Sequence, residues 1–582
     1  MQDPAARQSR TTRDGLICAL AFAACFWVAW PIAEMGFLDD WSYIKTAQIF
    51  AETGHLVYNG WATATLGWQI GWGALFIRVF GFSFTAAKLS TFPIAMATVV
   101  LFHAILIQSG ITRRNAIIGT LTLALSPLFM PLAASFMSDV PGLFVILLCL
   151  YCCQRAVTAL TPKAAILWLC LAATSNMAGG TARQIAWLGA LVMVPCTGWL
   201  LRKQRGVLLT SLLLWLGTIG DVLFCLHWFA EQPYSVSEVI LRGAPATMVN
   251  AVALTSIKML GECLCLLLVV YPVLAAWLPE ARKLNKLAIA IVAIVAADWG
   301  VFEWMLKWPL PWIPDTLLAE FAPARDARMS PALGQFILPA PICLAISLLV
   351  VTTALIFVAA NQSKSRELEN AADRAFWHEA FWLFVPFTLC YFLLLMPRAW
   401  HAAAFDRYLL PIMALAILCL IRLYQERVAP ALPRTTVVLL AIYAVFAIAG
   451  THNWFAWQRA RLAAIDEIRA AGIPRTAIQG GFEYDGWTQI DNGGHINDPR
   501  ILVPADAYQP NLAIPQVAAP CRLDFASFTP VVQPKYTAAL GLKPCLNPSK
   551  FLPVKYRAWL SPFERTVYVQ QIPAANGQGQ MP

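Results

Sequence analysis

Thirteen long apolar runs alternate with short polar joints along this chain, and the pattern changes only after residue 452. The runs fall at 15–33, 86–108, 116–131, 140–158, 163–179, 185–201, 206–228, 251–278, 286–305, 336–360, 377–396, 409–425 and 435–452. About 20 apolar residues in a helix span roughly 30 Å of hydrocarbon. Helices are the default because each satisfies its own backbone hydrogen bonds. The spacing therefore predicts thirteen transmembrane helices, of which 116–131 is the shortest. The first run follows Arg7, Arg10 and Arg13 and is longer than a usual signal core, so it reads as an uncleaved anchor.

Two stretches depart from this pattern. The loop 34–85 mixes polar and apolar residues at helical spacing, in "WSYIKTAQIFAETG" and "LGWQIGWGALFIRVFG". These predict amphipathic helices lying on the membrane surface. Beyond 453 come a helix-like stretch and then short strand-like runs punctuated by Pro and Gly. This predicts a membrane domain over 1–452 and a small external α/β domain over 453–582, a size typical of a domain.

Composition agrees. Of 582 residues, 59% are hydrophobic and 13% charged, against roughly 25% charged in soluble domains. The net charge of +10 does not imply a nucleic acid. With the N-terminus inside, the seven inner segments hold 19 Lys and Arg, and the six outer loops, which together are longer, hold nine. That asymmetry orients the chain. It places the loop 34–85 and the C-terminal domain outside, in a plasma or inner membrane.

Thirteen of the fifteen cysteines lie in or beside apolar runs, where Cys behaves as a small hydrophobe. Cys521 and Cys545 lie in the external tail, 23 residues apart. An oxidising compartment allows a disulfide between them, with two buried thiols as the alternative.

Charges inside the apolar runs are costly and tend to be functional or paired. Here they gather on the outer side: Arg183, Asp221, Lys258, Glu262, Asp298 and Glu303. This predicts a polar cavity at the outer leaflet, level with the adjacent carboxylates Asp39 and Asp40. A solvated helix end or helix–helix pairing is the plainer account of each residue singly.

The stretch "FLDDWSYIKTAQIFAETGHLVYNGW" (37–61) resembles the first outer loop of C-type-fold membrane glycosyltransferases, among them protein O-mannosyltransferases and the lipid A aminoarabinose transferase. "LALSPLFMPLAASFMSDVPGLFVILL", "GGTARQIAWL" and "FDRYLLPIMAL" resemble further outer-face segments of that group, in the same order. The resemblance implies a hexosyl or pentosyl transferase of the cell envelope with a polyprenyl-phosphate sugar donor, inversion at the sugar, and a glycan, lipid or protein acceptor. It implies Asp39 as general base, Asp40 in support, and Asp139 orienting the acceptor or tuning Asp39. Lys88, Arg183 and Arg407 become candidates for the donor phosphate, followed by Arg398 and His401. Tyr58, Asn59, Trp61 and the Trp-rich loop 306–335 become candidates for flanking the sugar. The Asp-Asp pair departs from the Asp-Glu more common in those enzymes and leaves donor and acceptor open. The residues also leave open a divalent ion between Asp39 and Asp139. Three other readings compete: a transporter or flippase of lipid-linked sugars, an envelope-assembly protein without catalysis, and a related lipid-linked polymer ligase that would rely on outer-face Arg and His rather than an early acidic pair.

Overall fold

The computed structural model describes residues 4–236, nearly all of 266–278, 352–356, 371–401, 405–504 and nearly all of 527–573, with isolated positions between. Lys258, Glu262, Asp298, Glu303, the loop 306–335 and Cys521 lie outside the described residues. Eight helices among those described are long and apolar enough to cross a membrane. The chain is a multi-pass, mainly helical membrane protein with a small sheet near its C-terminus. The expected count of thirteen is not reached among the described residues.

The helices that matter here are α1 (Pro4–Val28), α2 (Asp40–Thr53), α3 (Gly67–Phe80), α4 (Phe84–Leu89), α5 (Thr91–Gln108), α6 (Arg113–Ala124), α7 (Phe129–Ala133) and α8 (Asp139–Val157). Then follow α9 (Pro162–Ala182), α10 (Val194–Leu200), α11 (Arg205–Ala230), α12 (Tyr271–Leu274), α13 (Ala371–His401), α14 (Leu410–Arg427), α15 (Arg434–Ala470) and α16 (Phe482–Gly493).

Two expected spans are not regular helices. The run 116–131 becomes α6 and α7, separated at Leu125–Leu128. Pro127 cannot continue a helix, and the Ser126 hydroxyl accepts from Phe129 N at 3.0 Å to start α7. The 12 residues of α6 rise only about 18 Å, well short of the hydrocarbon thickness. The broken backbone is tolerated because it is buried in protein. The run 185–201 begins with a 3-10 turn at Gln184–Ala186 and a π stretch at Gly189–Met193 before α10.

The loop 34–85 contains helices α2 and α3. On α3, Ile70, Ala74 and Ile77 are buried, while Leu75, Val79 and Phe80 are exposed. An apolar face left open beside the membrane helices suits a helix lying at the bilayer surface.

The run 435–452 does not stop at the membrane. Helix α15 continues for 37 residues to Ala470, about 55 Å, so the expected boundary at 453 falls inside it. The sheet beyond is five-stranded: β1 (Ile478–Gln479), β2 (Tyr536–Ala539), β3 (Asn547–Pro548), β4 (Val554–Tyr556) and β5 (Arg565–Gln571). Strand β1 is parallel to β2 (Ile478 opposite Tyr536), and β2 is antiparallel to β5 (Tyr536 opposite Gln571, Ala539 opposite Tyr568). Strands β3 and β4 also pair antiparallel with β5. Cys545 is disulfide-bonded, and its partner, like Cys521, lies outside the described residues.

The external part packs on the first outer loop. Trp41, Ile44, Leu66 and Ile70 share one apolar cluster with Trp487, Ile490, Ile496 and Ile501. Ile496 N donates to Asn59 O at 2.9 Å, and Lys45 Nζ reaches Asp491 Oδ1 at 2.7 Å. Gly60, at φ 86°, lies where a Cβ would meet the Ile501 side chain at 2.2 Å, so that contact requires glycine.

Candidate active site

Two acidic and two basic side chains from four segments meet at one end of the membrane helices. Asp39 caps α2, Asp139 opens α8, Arg183 follows α9 and Arg407 precedes α14. Arg407 Nη2 lies 3.1 Å from Asp39 Oδ2, and its Nε lies 3.9 Å from Asp139 Oδ2. Arg183 Nη1 lies 2.9 Å from Asp139 Oδ1 and donates to Ser138 Oγ at 3.2 Å. The charges form a row, Asp39–Arg407–Asp139–Arg183, of zero net charge.

Exposure along the row is unequal. The Asp139 side chain is 0% exposed and that of Arg407 6%, whereas Asp39 is 25% and Arg183 17% exposed. The two ends of the row can therefore meet a ligand, while the middle is enclosed. Aromatic rings hold the guanidinium groups: Arg407 lies 4.3 Å from the Phe405 ring centroid, and Arg183 lies 5.2 Å from that of Tyr408. The Tyr391 hydroxyl donates to the Tyr408 carbonyl and ties this turn to α13.

The turn that presents Asp39 is fixed from beneath. Leu38 takes a left-handed φ of 53°, which a branched side chain adopts only when its surroundings impose it. Asp40 imposes it in part: its Oδ1 accepts from Phe37 N at 2.5 Å and its Oδ2 from Phe136 N at 2.9 Å. Lys88 Nζ donates to Ala33 O and Met35 O at 2.7 and 2.8 Å. Burial pushes the Asp40 carboxyl up, while the Lys88 ammonium and the two N–H donors pull it back. Arg461 completes the support, with Glu483 Oε2 at 2.7 Å and Met35 Sδ at 3.1 Å.

The expected site residues thus separate. Asp39, Asp139, Arg183 and Arg407 come together. Trp61 joins them by donating its indole N–H to Asp39 Oδ1 at 2.9 Å. Asp40 is close in sequence but faces backbone donors rather than a ligand. Lys88 is 2% exposed and engaged by two carbonyls, so it stands outside the row. Tyr58 donates to Thr65 O at 2.7 Å, and Asn59 exchanges hydrogen bonds with Ser42, so both shape the loop. Arg398 and His401 lie at the end of α13, but their side chains are outside the described residues. Asp221 takes a contact from Cys225 Sγ at 3.9 Å on its own helix.

Sequence reasoning missed Tyr43. Burial pushes its hydroxyl up, and Asp39 adds to the effect, with Arg407 opposing. It stands four residues after Asp39, one helical turn on the same face, so the spacing itself was the available signal. A divalent ion does not suit this donor set. Each carboxylate is matched by a guanidinium, Arg407 lies between Asp39 and Asp139, and no group of three or more His, Cys, Asp or Glu among the described residues could hold a metal.

No protein-family model and no curated protein matches the sequence. Solved structures similar to it include ArnT from Cupriavidus metallidurans bound to undecaprenyl phosphate, at 13% identity and a TM-score of 0.36, covering 80% of this chain and 83% of that one. The arabinosyltransferase EmbB from Mycobacterium smegmatis is 15% identical, with a TM-score of 0.34, covering 77% of this chain and 42% of that one. The protein O-mannosyltransferase Pmt1-Pmt2 complex of S. cerevisiae is 14% identical, with a TM-score of 0.32, covering 38% of this chain and 33% of that one. The chain thus spans about a third of that mannosyltransferase chain and less than half of EmbB. Likeness at these scores carries no part of the argument, which rests on the row of charges.

Proposed function

We propose that this chain is an inverting C-type membrane glycosyltransferase that moves a sugar from a polyprenyl phosphate to an acceptor at the outer membrane face. The observation that supports this best is the pairing of a partly exposed carboxylate, Asp39, with two guanidinium groups at the outer ends of membrane helices. An acceptor O–H or N–H would attack the anomeric carbon as the bond from that carbon to the phosphate oxygen breaks. Asp39 would take the acceptor proton, which requires it within hydrogen-bond reach. The polyprenyl phosphate would leave with its electron pair, and Arg183 and Arg407 would stabilise the charge that develops on it.

In the free protein Arg407 is engaged by Asp39 at 3.1 Å. A donor phosphate entering beside the partly exposed Asp39 would compete for that guanidinium, itself only 6% exposed, and release Asp39 Oδ2 as a base. Donor binding and base activation would then be one event. The experiment is to incubate purified full-length protein with radiolabelled polyprenyl-phosphate sugars and a membrane extract as acceptor source. Transfer of label with release of polyprenyl phosphate supports the proposal. Movement of intact donor across a vesicle membrane without bond cleavage would favour a flippase.

A further inference from the structure

A second polar site lies away from the row of charges, where the C-terminal sheet meets the middle of α15 beside the C-terminal end of α1. Here a groove of about 320 Å³ is lined by His452 and Arg459 of α15 and by Val554, Lys555, Tyr556 and Arg557 at β4. Four of its lining side chains are basic or can become so, and none is acidic. Among the described residues Glu564 lies 3.8 Å from Lys555, and both partners are more than 60% exposed. Such an exposed pair contributes little.

The groove lies where the apolar run of α15 gives way to more polar residues. His452 is the last residue of the apolar run 435–452, and its ring stacks on Trp559 at 3.9 Å. Trp559 N donates to Asn453 Oδ1 at 2.5 Å, which fixes the turn after β4 to that point of the helix. Seven residues further, about 10 Å up the helix, Arg459 donates to Trp30 O and Ile32 O at the outer end of α1. Around this groove apolar side chains stand open: Leu552 is 75% exposed, Phe563 79%, Trp559 48% and Trp30 55%. In water such a set is unfavourable, whereas Trp at a membrane–water interface with basic side chains beside it is a favoured arrangement.

We infer that this groove binds the phosphate headgroup of an anionic phospholipid of the outer leaflet, with Leu552, Trp559 and Phe563 entering the bilayer surface beside it. Lys555 and Arg557 supply the charge, and Arg459, held by Trp30 O and Ile32 O, bounds the end of the groove further along α15. The lipid would hold the external sheet on the membrane and thereby keep the support beneath Asp39 in place. The site is independent of the glycosyl-transfer reading.

The test uses the full-length protein, delipidated and reloaded with phosphatidylglycerol or phosphatidylcholine, and native mass spectrometry of the retained lipid. Wild-type protein should retain phosphatidylglycerol selectively. The double variant Lys555→Gln/Arg557→Gln, at two exposed positions, should retain it on the order of 10–30-fold less well. Hydrogen exchange over 550–565 should be slowed in phosphatidylglycerol nanodiscs relative to phosphatidylcholine nanodiscs, and Leu552→Ser/Phe563→Ser should lose that protection. Equal retention of both lipids, or unchanged phosphatidylglycerol retention in the double variant, would overturn the inference. Equal protection by inorganic phosphate in phosphatidylcholine nanodiscs would also overturn it, since the site would then serve a free anion.

Discussion

The two ends of the membrane helices carry the same kinds of ion pair, built differently. At the inner end, Arg113 grips Asp14 through two nitrogens at 2.5 and 2.8 Å. Arg422 pairs with Asp373 and with Glu426 and donates to Gly110 O at 2.9 Å, closing a turn whose glycine has φ 75°. Arg113 ties α6 to α1, and Arg422 ties the Gly110 turn and α13 to α14. At the outer end, Arg407 reaches carboxylates from two segments, and one of them, Asp39, stays a quarter exposed. A shared cation beside an accessible acid can exchange one partner for an incoming anion, whereas a cation fixed to loop carbonyls cannot without unmaking the loop. Ion pairing alone therefore does not mark a site. Nor do sharing and access, since Arg422 joins Asp373 of α13 to Glu426 of α14 and Asp373 is 23% exposed; what sets Arg422 apart is that the Gly110 carbonyl also holds it.

Breaking the outer row at its centre should have the largest effect. Arg407→Gln removes the cation between two carboxylates and leaves Asp139 with Arg183 alone. Donor binding and glycosyl transfer should both fall below detection, and stability should drop, since breaking a buried pair costs about 3–5 kcal/mol. The inner counterpart, Arg422→Gln, should lower the apparent melting temperature but leave donor affinity within a few-fold. Isothermal titration with polyprenyl phosphate separates the two. Equal loss of affinity in both variants would erase the contrast.

Asp40→Asn sharpens the difference between the adjacent carboxylates. Its two acceptor bonds cannot both be kept by an amide, so a buried N–H of Phe37 or Phe136 loses its partner, at a cost of about 1–3 kcal/mol. The expected outcome is a lower melting temperature with a normal pH profile for transfer. A pH profile altered as in a base variant would place Asp40 in the chemistry.

Asp485 gives a pH test of the support beneath the site. Burial raises its carboxyl to about 7, with Gly480 N–H and Arg461 opposing. A carboxyl raised above its unfolded value of roughly 3.9 holds its proton longer in the folded state. Its contribution to stability is thus greatest below about pH 4 and declines as pH rises to about 7. Asp485→Asn should flatten that decline in a melting-temperature series from pH 4 to 8. An unchanged slope would remove Asp485 as its source.

A smaller effect than breaking the row at Arg407 should come from Trp61→Phe. It deletes the indole N–H to Asp39 Oδ1 while keeping a ring against Phe482 and Phe528. One hydrogen bond to a charged group is worth about 1.5–3 kcal/mol, so transfer should slow roughly 10- to 100-fold. A simple packing role would leave the transfer rate of Trp61→Phe near that of wild type.

Much of this was legible because the bilayer makes charge conspicuous. Asp39, Asp139, Arg183 and Arg407 stand out in an apolar sequence, and positive-inside bias puts them on one side. What was not legible depends on backbone. Lys88 looks like a free cation in sequence, and only the folded turn shows Ala33 O and Met35 O beneath it. Asn59 and Tyr58 look like sugar ligands until the loop shows Ser42 and Thr65 as their partners. The break at Ser126–Pro127 was written in the sequence, yet the apolar run on both sides masked it. The length of α15 was hidden for the opposite reason. Helical periodicity continues through residue 453, while the change from apolar to polar composition suggested an end.

The central claim is that Asp39 is the base in glycosyl transfer. The most direct measurement compares Asp39→Asn with wild type, in transfer rate and in donor affinity, on the same purified preparation. The account predicts a fall in turnover of about 10²–10⁴-fold, the usual contribution of a general base, with donor affinity unchanged or tighter because Arg407 loses its competing carboxylate. Near-normal turnover by Asp39→Asn would contradict it.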